Sequence, residues 1–443
     1  MPRMALVLAL VFLTGCAHEM GGGAGRPSAG ASRPTRVVLP NGVVLIAQEH
    51  RASDVVALQL WMRVGGRDET ADELGLSHYL EHMLFKGTPT RPPGSIDALI
   101  EGLGGTSNAF TSHDYTHFDV VLPAQHMRTG VELLADIAVN ASFDQNELDA
   151  ERKVVFEEMR LTEDNPDRFM VRRLYEVAYM PHPYGRPILG TPELIGALTR
   201  ARLAAYYKKF YVPRDMVLVV VGAVKPADVQ EAALATFGRL ASPPPPRPPN
   251  PSAPPLAGGR RDDVRRSEQQ AYLGLGWRTA ATNEADVYAV DLLTYILGDS
   301  SSSRLNQRLR EQDRLVFSIE AAYGAWEKAG LTTVLARLDA ANLDRAEATI
   351  LDVIRRVKAE GVTEAERQRA IITAESNYAF DIETAEGLAK TYGQAETTWT
   401  LDDELAYLSR LRQITAAQIQ AVARKYFADD NYARVRFLPG PSR

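Results

Sequence analysis

The sequence has almost no cysteine: Cys16 is the single one among 443 residues, so no disulfide can form within the chain. The fold must therefore be stabilised by buried apolar side chains, and a chain of this length can form two or three domain-sized cores. No segment after the N-terminal region offers the run of about 20 apolar residues that a membrane-spanning helix requires. Hydrophobic residues make up 45% and charged residues 24%, which is the composition of an ordinary globular protein.

An excess of positive charge is also absent, because the formal net charge is −6 at pH 7. Proteins that bind nucleic acid present a basic face to the phosphate backbone. We therefore expect no nucleic-acid partner.

Residues 1–15 have the pattern of a secretory signal peptide, with one basic residue followed by a short apolar run and small residues. The end of this segment, LTGC, resembles a bacterial lipobox, which implies lipidation of Cys16. A plain signal peptide with a chance cysteine is the alternative. Ala17 rather than Asp follows the cysteine, and by similarity to known sorting rules this favours the outer membrane. We expect a lipid-anchored protein of the bacterial cell envelope that faces the periplasm.

Two segments rich in Pro, Gly, Ala and Ser divide the chain. Residues 16–35 predict a flexible tether, and residues 241–261 predict a stiff Pro-rich linker. The parts between and after them, 36–240 and 262–443, both mix strand and helix patterns in a similar order. The sequence therefore predicts an α+β fold of two similar domains, each a mostly antiparallel sheet with helices packed on one face.

The stretch HYLEH places His78 and His82 four residues apart within a predicted helix over 73–86. Side chains at this spacing project from one face of a helix, where two imidazoles can share one zinc ion. Glu81 lies beside the same face and can reach a water at such an ion without being a ligand. The alternative is a pair of surface histidines, which the motif alone does not exclude.

A second predicted helix, 144–162, offers carboxylates for a third ligand position. Glu151 and Glu158 are seven residues apart and share the face that carries the valines, whereas Glu157 is rotated away from it. A buried carboxylate is costly unless it is paired or coordinated. The alternative is an acid-rich helix that faces solvent.

These motifs, with others along the chain, resemble the pitrilysin/insulinase metallopeptidases, the inverzincin family that includes mitochondrial processing peptidase. The stretches that carry the resemblance are GGRDETADELGLSHYLEHMLFKGT, GGTSNAFTSHDYTHF, ERKVVFEEM, HPYGRPILGTPELI and FYVPRDMVLVVVGAV. The resemblance implies one zinc ion per chain, held by His78, His82 and Glu158. It also implies that Glu81 is the general base and that Glu151 orients a ligand histidine.

The same resemblance implies a substrate-binding edge strand at Asn108, Ala109 and Phe110, to which an extended peptide adds as a further strand. An ordinary strand after a Gly-Gly turn is the alternative. His113 and His117 form a competing HxxxH pair, for which no third ligand is evident. Three other histidines are isolated in the sequence, and we interpret them as structural or surface residues: His50, His126 and His182.

One position departs from the family pattern. Arg310 matches a family arginine that contacts substrate and helps to stabilise the transition state, but the tyrosine expected seven residues later is Phe317. A phenyl ring cannot donate a hydrogen bond to a developing oxyanion. Tyr323 is out of register for that role. Half-length family members work as pairs, so we expect a homodimer or a heterodimer with a zinc-less relative that supplies an Arg/Tyr pair.

The sequence thus predicts a zinc endopeptidase that acts on peptides or unfolded protein segments in the cell envelope. The alternative from another class is a non-catalytic peptide-binding or structural subunit of a family heterodimer. Such subunits lose ligands or the base, whereas here the complete set is present. Hydrolysis of a non-peptide substrate at the same zinc is a third possibility, against which the edge-strand segment argues.

Overall fold

The computed structural model describes residues 33–241, 252–254, 256 and 258–440. The predictions for the signal peptide, for lipidation at Cys16 and for most of the tether and linker lie outside these residues. They stay predictions.

Six strands form the first sheet. In chain order they are β1 (Thr35–Val38), β2 (Val44–Glu49), β3 (Val55–Met62), β4 (Thr106–Thr111), β5 (Thr116–Pro123) and β6 (Met216–Gly222). Their spatial order is β1-β2-β6-β3-β5-β4, and all neighbours are antiparallel except the parallel pair β2 and β6. The turn between β1 and β2 contains Gly42 at φ 95°, a left-handed conformation that favours glycine.

Five strands form the second sheet. They are β7 (Arg260–Arg266), β8 (Ala271–Thr279), β9 (Val316–Ala325), β10 (Gly330–Leu338) and β11 (Ala433–Pro439). Their order is β7-β11-β8-β10-β9, again with one parallel pair, β7 and β11, and antiparallel neighbours elsewhere. From β2 onward the two sheets therefore share one topology, in which β9 takes the edge position that β4 has in the first sheet. The predicted α+β fold of two similar halves is confirmed.

Among the described residues, eight α-helices precede the second sheet. They are α1 (Leu76–Leu84), α2 (Ser95–Gly102), α3 (Met127–Asn140), α4 (Gln145–Asp164), α5 (Pro166–Tyr179), α6 (Pro192–Gly196), α7 (Arg200–Phe210) and α8 (Pro226–Ala235). The later helices in the described residues are α9 (Val287–Thr294), α10 (Leu343–Glu360), α11 (Glu364–Asp381), α12 (Ala385–Thr398), α13 (Leu401–Gln413) and α14 (Ala416–Tyr426). π-Helical segments cover Tyr295–Asp299 and Asn306–Gln312. None of the helices in the described part of the chain combines the length and apolarity needed to cross a membrane.

The two halves exchange one helix each. In β3, Leu58 and Leu60 face the core that contains α1 and α3, while Trp61 faces the other side of the sheet, where α12 from the C-terminal half packs. In return, α5 packs on β8 and β11, and Leu174 of α5 lies in the same apolar cluster as Val435. The sequence pattern did not indicate that a helix from one half packs on the sheet of the other half.

The exchange has two consequences for the predicted domain organisation. Packing crosses the predicted boundary in both directions, and β7 begins at Arg260, within the predicted linker 241–261. The division at 36–240 and 262–443 stays a prediction about the chain. The largest apolar cluster of each half consists of residues of that half alone, whereas two smaller clusters combine residues of both. An ion cluster around the buried Glu396 also joins the halves: this residue of α12 accepts from Arg36 at 2.8 Å and from Arg63 at 3.0 Å.

The exchanged helix α12 approaches β3 closely at Gly393. A β-carbon at this residue would lie 2.1 Å from Nε1 of the fully buried Trp61. We predict that Gly393→Ala lowers the free energy of unfolding by about 1–3 kcal/mol, because the methyl group overpacks this contact. The matched control is Gly102→Ala in α2, where a β-carbon meets nothing within 4 Å. There the better helix propensity of Ala should keep or raise stability. Urea unfolding of both variants measures the difference, and equal effects would contradict the close approach.

Candidate metal centre

Helix α1 carries the HYLEH motif and begins later than the predicted residue 73. Gly75, at φ 89°, occupies the N-cap position, and the helix starts at Leu76. The side chain of Glu69, which is 2% exposed, accepts the backbone N–H of Gly75 at 2.9 Å and of Ser77 at 2.7 Å. These donors are among those that a helix start leaves without intrahelical partners. Glu69 thus fixes the start of α1, and sequence reasoning missed this role.

One face of α1 is held in the core, which turns the other face towards α4. Tyr79, Leu80 and Met83 are fully buried against the first sheet and its helices. The hydroxyl of Tyr79 donates to the backbone carbonyl of Leu148 in α4. This bond ties the two helices together next to the motif histidines.

His78 and His82 of α1 meet Glu158 of α4. Nε2 of His78 lies 3.4 Å from Nε2 of His82, and Oε2 of Glu158 lies 3.3 Å from the first and 3.5 Å from the second. A tetrahedral zinc ion with bonds of about 2.0–2.1 Å separates its ligand atoms by roughly 3.3 Å. Two imidazoles and one carboxylate suit zinc, so the residues present fit the ion that the sequence predicted. An ion held by these three side chains would keep a fourth position open, as in catalytic zinc sites.

Glu151 lies one step outside this cluster, on the same face of α4. Its Oε2 is 2.9 Å from Nδ1 of His82, and its Oε1 is 2.8 Å from Nζ of Lys86. The contact holds the His82 ring with Nε2 towards Glu158, as carboxylates behind a ligand histidine do. Glu157, by contrast, is exposed and pairs with Arg160, in agreement with the sequence prediction.

The two histidines differ in protonation when no metal is bound. Burial holds the pKa of His78 well below its ordinary value, so this imidazole is neutral and ready to coordinate. Burial also lowers the pKa of His82, but its hydrogen bonds with Glu151 and Glu158 outweigh this effect and raise the pKa to about 10. The metal-free centre therefore holds a proton on His82 at neutral pH.

Glu81 is not part of the three-atom cluster. Its Oε2 accepts a hydrogen bond of 2.6 Å from the hydroxyl of Thr111, the last residue of β4. Burial raises the pKa of the Glu81 carboxyl, although His82 and Thr111 oppose the shift. A carboxylate with a raised pKa, beside the metal ligands but not among them, can take and return a proton.

Strand β4 borders the centre and is the outermost strand of its sheet. It pairs with β5, and no other strand of the described residues covers its second edge. Asn108 is exposed, Ala109 packs partly against the core that contains α1, and Phe110 is 46% exposed on the opposite face. The predicted substrate residues thus line a free edge that ends at Thr111, next to Glu81.

The competing histidine pair does not form a metal cluster. His117 pairs with Asp119 at 2.9 Å and stacks on Trp61, while the His113 ring packs against Trp326. Within the described ranges, His78, His82 and Glu158 are the one group of three or more potential ligands whose atoms converge.

Arg310 is not bonded to the metal centre in the described residues. It is in the second π-helical segment with half of its side chain exposed, and Glu311 is its ion-pair partner at 3.9 Å. Among the described residues, no hydrogen bond or ion pair joins it to the metal ligands. Phe317 is 50% exposed on β9, and the Tyr323 hydroxyl donates to the carbonyl of Ala280. The catalytic role of Arg310 stays a prediction, and Tyr323 does not replace the missing tyrosine.

Comparison with known proteins places this geometry among peptidases. Residues 44–192 match the family profile described as "Insulinase (Peptidase family M16)", and residues 197–373 match "Peptidase M16 inactive domain". The chain is 28% identical over 408 residues to the "Uncharacterized zinc protease YmxG" of Bacillus subtilis, which covers 91% of this chain and 98% of that protein. The "Uncharacterized zinc protease Rv2782c" of Mycobacterium tuberculosis, strain H37Rv, is 29% identical over 399 residues, which cover 89% of this chain and 91% of that protein.

Solved structures share the fold. A protease from Helicobacter pylori superposes with a TM-score of 0.87 at 24% identity, over 92% of this chain and 100% of that chain. The periplasmic protease PqqL of Escherichia coli gives a TM-score of 0.75 at 19% identity, over 92% of this chain and 48% of that chain. The fold of this chain thus matches about half of the longer protein.

Glu151 should support metal binding without touching the metal. We predict that Glu151→Gln weakens zinc affinity about 10-fold to 100-fold, because the His82 ring loses the carboxylate that orients it. Glu157→Gln, on the same helix but exposed, is the control and should bind zinc as the wild type does. Competition with a chromophoric chelator measures both affinities. Equal affinity of the two variants would contradict the role of Glu151.

Zinc binding should release a proton. His82 has a folded pKa of about 10 without metal, and coordination requires the lone pair of its Nε2, so zinc and proton compete. Affinity should therefore rise with pH below this pKa, by about tenfold per unit for one released proton. Titration calorimetry between pH 6 and 8, in buffers of different ionisation enthalpy, counts the protons. A zinc affinity that does not change with pH would contradict a protonated His82 in the metal-free protein.

Proposed function

Because the chain belongs to the insulinase family of peptidases, peptidase family M16, we propose that it is a zinc-dependent endopeptidase that cleaves peptides or unfolded protein segments. One observation carries the proposal. The structure joins three converging ligand atoms, a separate carboxylate on Glu81 and the free edge of β4 within one site. Each of these parts has a distinct task in hydrolysis of an extended chain.

The proposed metal content is one zinc ion per chain, held by His78, His82 and Glu158. When bound, the ion supplies Lewis acidity that polarises the scissile carbonyl and acidifies water. The chain contributes the geometry: α1 presents both imidazoles, α4 presents the carboxylate, and Glu151 keeps the His82 ring in place.

Glu81 is the proposed general base. It takes a proton from the attacking water, whose oxygen bonds to the carbonyl carbon, and it returns a proton to the leaving amine nitrogen as the C–N bond breaks. Burial raises the pKa of this carboxyl and so strengthens it as a base. The hydroxyl of Thr111 donates to Oε2 and orients the carboxylate beside the end of β4.

An extended peptide is the proposed substrate. Added along the outer edge of β4, its backbone would pair with the backbone at Asn108, Ala109 and Phe110. Backbone pairing is tolerant of sequence and requires an extended chain, which favours peptides and unfolded segments over folded proteins. Phe110, which is 46% exposed, offers an apolar contact to substrate side chains.

A second chain is part of the proposal. Arg310 is half exposed, so its guanidinium is accessible to a second chain. We propose a homodimer, or a heterodimer whose zinc-less member supplies an Arg/Tyr pair, since Phe317 occupies the tyrosine position of this chain. Full activity of this chain alone would count against the heterodimer.

The proposed location is the bacterial cell envelope, with a lipid at Cys16 as anchor, on the outer membrane and facing the periplasm. The LTGC segment and the residue after it support this placement. The non-catalytic subunit remains the competing function, supported by the match of residues 197–373 to a domain described as inactive and by Phe317. The complete ligand set with Glu81 favours the enzyme.

We predict that Glu81→Gln lowers kcat for a quenched fluorescent peptide by about 10²-fold to 10⁴-fold, because the amide cannot accept the proton. Zinc content should remain that of the wild type, since Glu81 is not a ligand. Glu157→Gln is the control with unchanged activity. The measurement uses the zinc-loaded chain from residue 17 onward. If the wild type binds zinc but cleaves no peptide, either alone or with a family partner, the endopeptidase proposal is wrong. The non-catalytic subunit would then be the better explanation.

A further inference from the structure

The turn between β4 and β5 contains a fully buried acid, Asp114, which no step of the proposed hydrolysis uses. Its Oδ1 accepts from Nη1 of Arg67 at 2.8 Å and from the hydroxyl of Tyr184 at 2.7 Å. Its Oδ2 accepts the backbone N–H of Glu327 at 2.8 Å. Asp114 therefore bonds both to its own half and to the C-terminal half.

The contact from the C-terminal half is the tip of the β9–β10 hairpin. In addition to the backbone N–H of Glu327, the carboxylate of Glu327 pairs with Arg67 at 2.6 Å. The backbone N–H of Lys328 donates to the Tyr184 hydroxyl at 3.1 Å. The Trp326 ring packs against Tyr184 with 4.7 Å between ring centroids. Main-chain and side-chain groups of this tip thus converge on Asp114 and its partners.

The turn is also held from the N-terminal half. The backbone N–H of Gly66 donates to the backbone carbonyl of Ser112 at 3.1 Å, and the backbone N–H of Arg67 donates to the backbone carbonyl of His113 at 3.0 Å. A β-carbon on Gly65 would lie 2.3 Å from the Ser112 carbonyl oxygen, so the two segments are in direct backbone contact. A buried carboxylate with three donors on it leaves the turn little freedom, because moving it would leave charged and polar groups unpaired.

This turn follows directly after the residue that orients the general base. Thr111 ends β4 and donates to Glu81, and Asp114 is three residues further on. We infer that Asp114 is a positioning residue through which the β9–β10 tip of the C-terminal half holds the end of β4, and with it Thr111, against Glu81. The inference rests on the proposed peptidase function, and it assigns the half that lacks the metal ligands a task in the reaction.

A merely structural role predicts a different pattern. The chain offers a matched control in Glu396, which is also buried, also paired with arginines and also located between the halves, but on α12. Asp114→Asn and Glu396→Gln each remove one buried negative charge from such a pair. Both should lower stability, and the Asp114 variant should in addition affect β4 and catalysis.

The test compares Asp114→Asn, Glu396→Gln and Thr111→Val as zinc-loaded full chains, by peptide hydrolysis and by hydrogen–deuterium exchange. For Asp114→Asn we expect kcat to fall about 10-fold to 100-fold and KM to rise, because β4 is also the proposed substrate strand, with zinc affinity nearly unchanged. Exchange should become faster in residues 106–112 and not in α1 or α4. Combined with Thr111→Val, the loss should be less than additive, because both changes release the same bond. Glu396→Gln should leave kcat unchanged.

Two results would overturn the inference. One is unchanged exchange in residues 106–112 of Asp114→Asn, and the other is a loss of kcat that Glu396→Gln reproduces. The exchange measurement does not depend on activity. If the wild type cleaves no peptide, the proposed function fails, while faster exchange of β4 in Asp114→Asn still supports the coupling between the tip and the strand.

Discussion

The site depends on two helices, α1 and α4, that face each other across a gap. In this gap, atoms of His78, His82 and Glu158 lie 3.3 to 3.5 Å from one another. Without a cation, protonated His82 is paired with Glu151 and Glu158, and neutral His78 is buried beside them. The contacts around them oppose relaxation: Tyr79 bonds α1 to α4, Glu69 fixes the start of α1, and Glu151 holds the His82 ring. The fold thus holds the site ready for an ion.

The two similar halves determine how the rest of the chain packs around this site. Each half contributes one helix to the sheet of the other, so that two smaller apolar clusters combine residues of both halves. The two edge strands, β4 and β9, occupy equivalent positions, but β4 alone has the metal helix beside it and Glu81 at its end. The hairpin that contains β9 instead sends its tip to Asp114, at the turn that follows β4. The C-terminal half, which lacks the metal ligands, is thereby joined to the strand that we propose binds substrate.

Local periodicity was sufficient to predict α1, α4, the facing of Glu151 and Glu158, and the outward position of Glu157. Each of these depends on spacing along one helix. The resemblance to the metallopeptidases added the ligand roles and the edge strand, which spacing could not assign. Periodicity did not indicate that α12 would pack on β3, because the contact between Gly393 and Trp61 joins residues more than 300 positions apart. Glu69 and Asp114 were missed for a related reason: an acid in a loop has no period, and its importance comes from donors far away in the chain.

The most direct test of the account is a crystal structure of Glu81→Gln, loaded with zinc and soaked with an unstructured peptide. The account predicts anomalous zinc density between His78, His82 and Glu158, and a peptide that runs as an added strand along the free edge of β4. One of its carbonyl groups should lie beside the metal. Zinc bound elsewhere, or a peptide that does not pair with β4, would contradict the central claim.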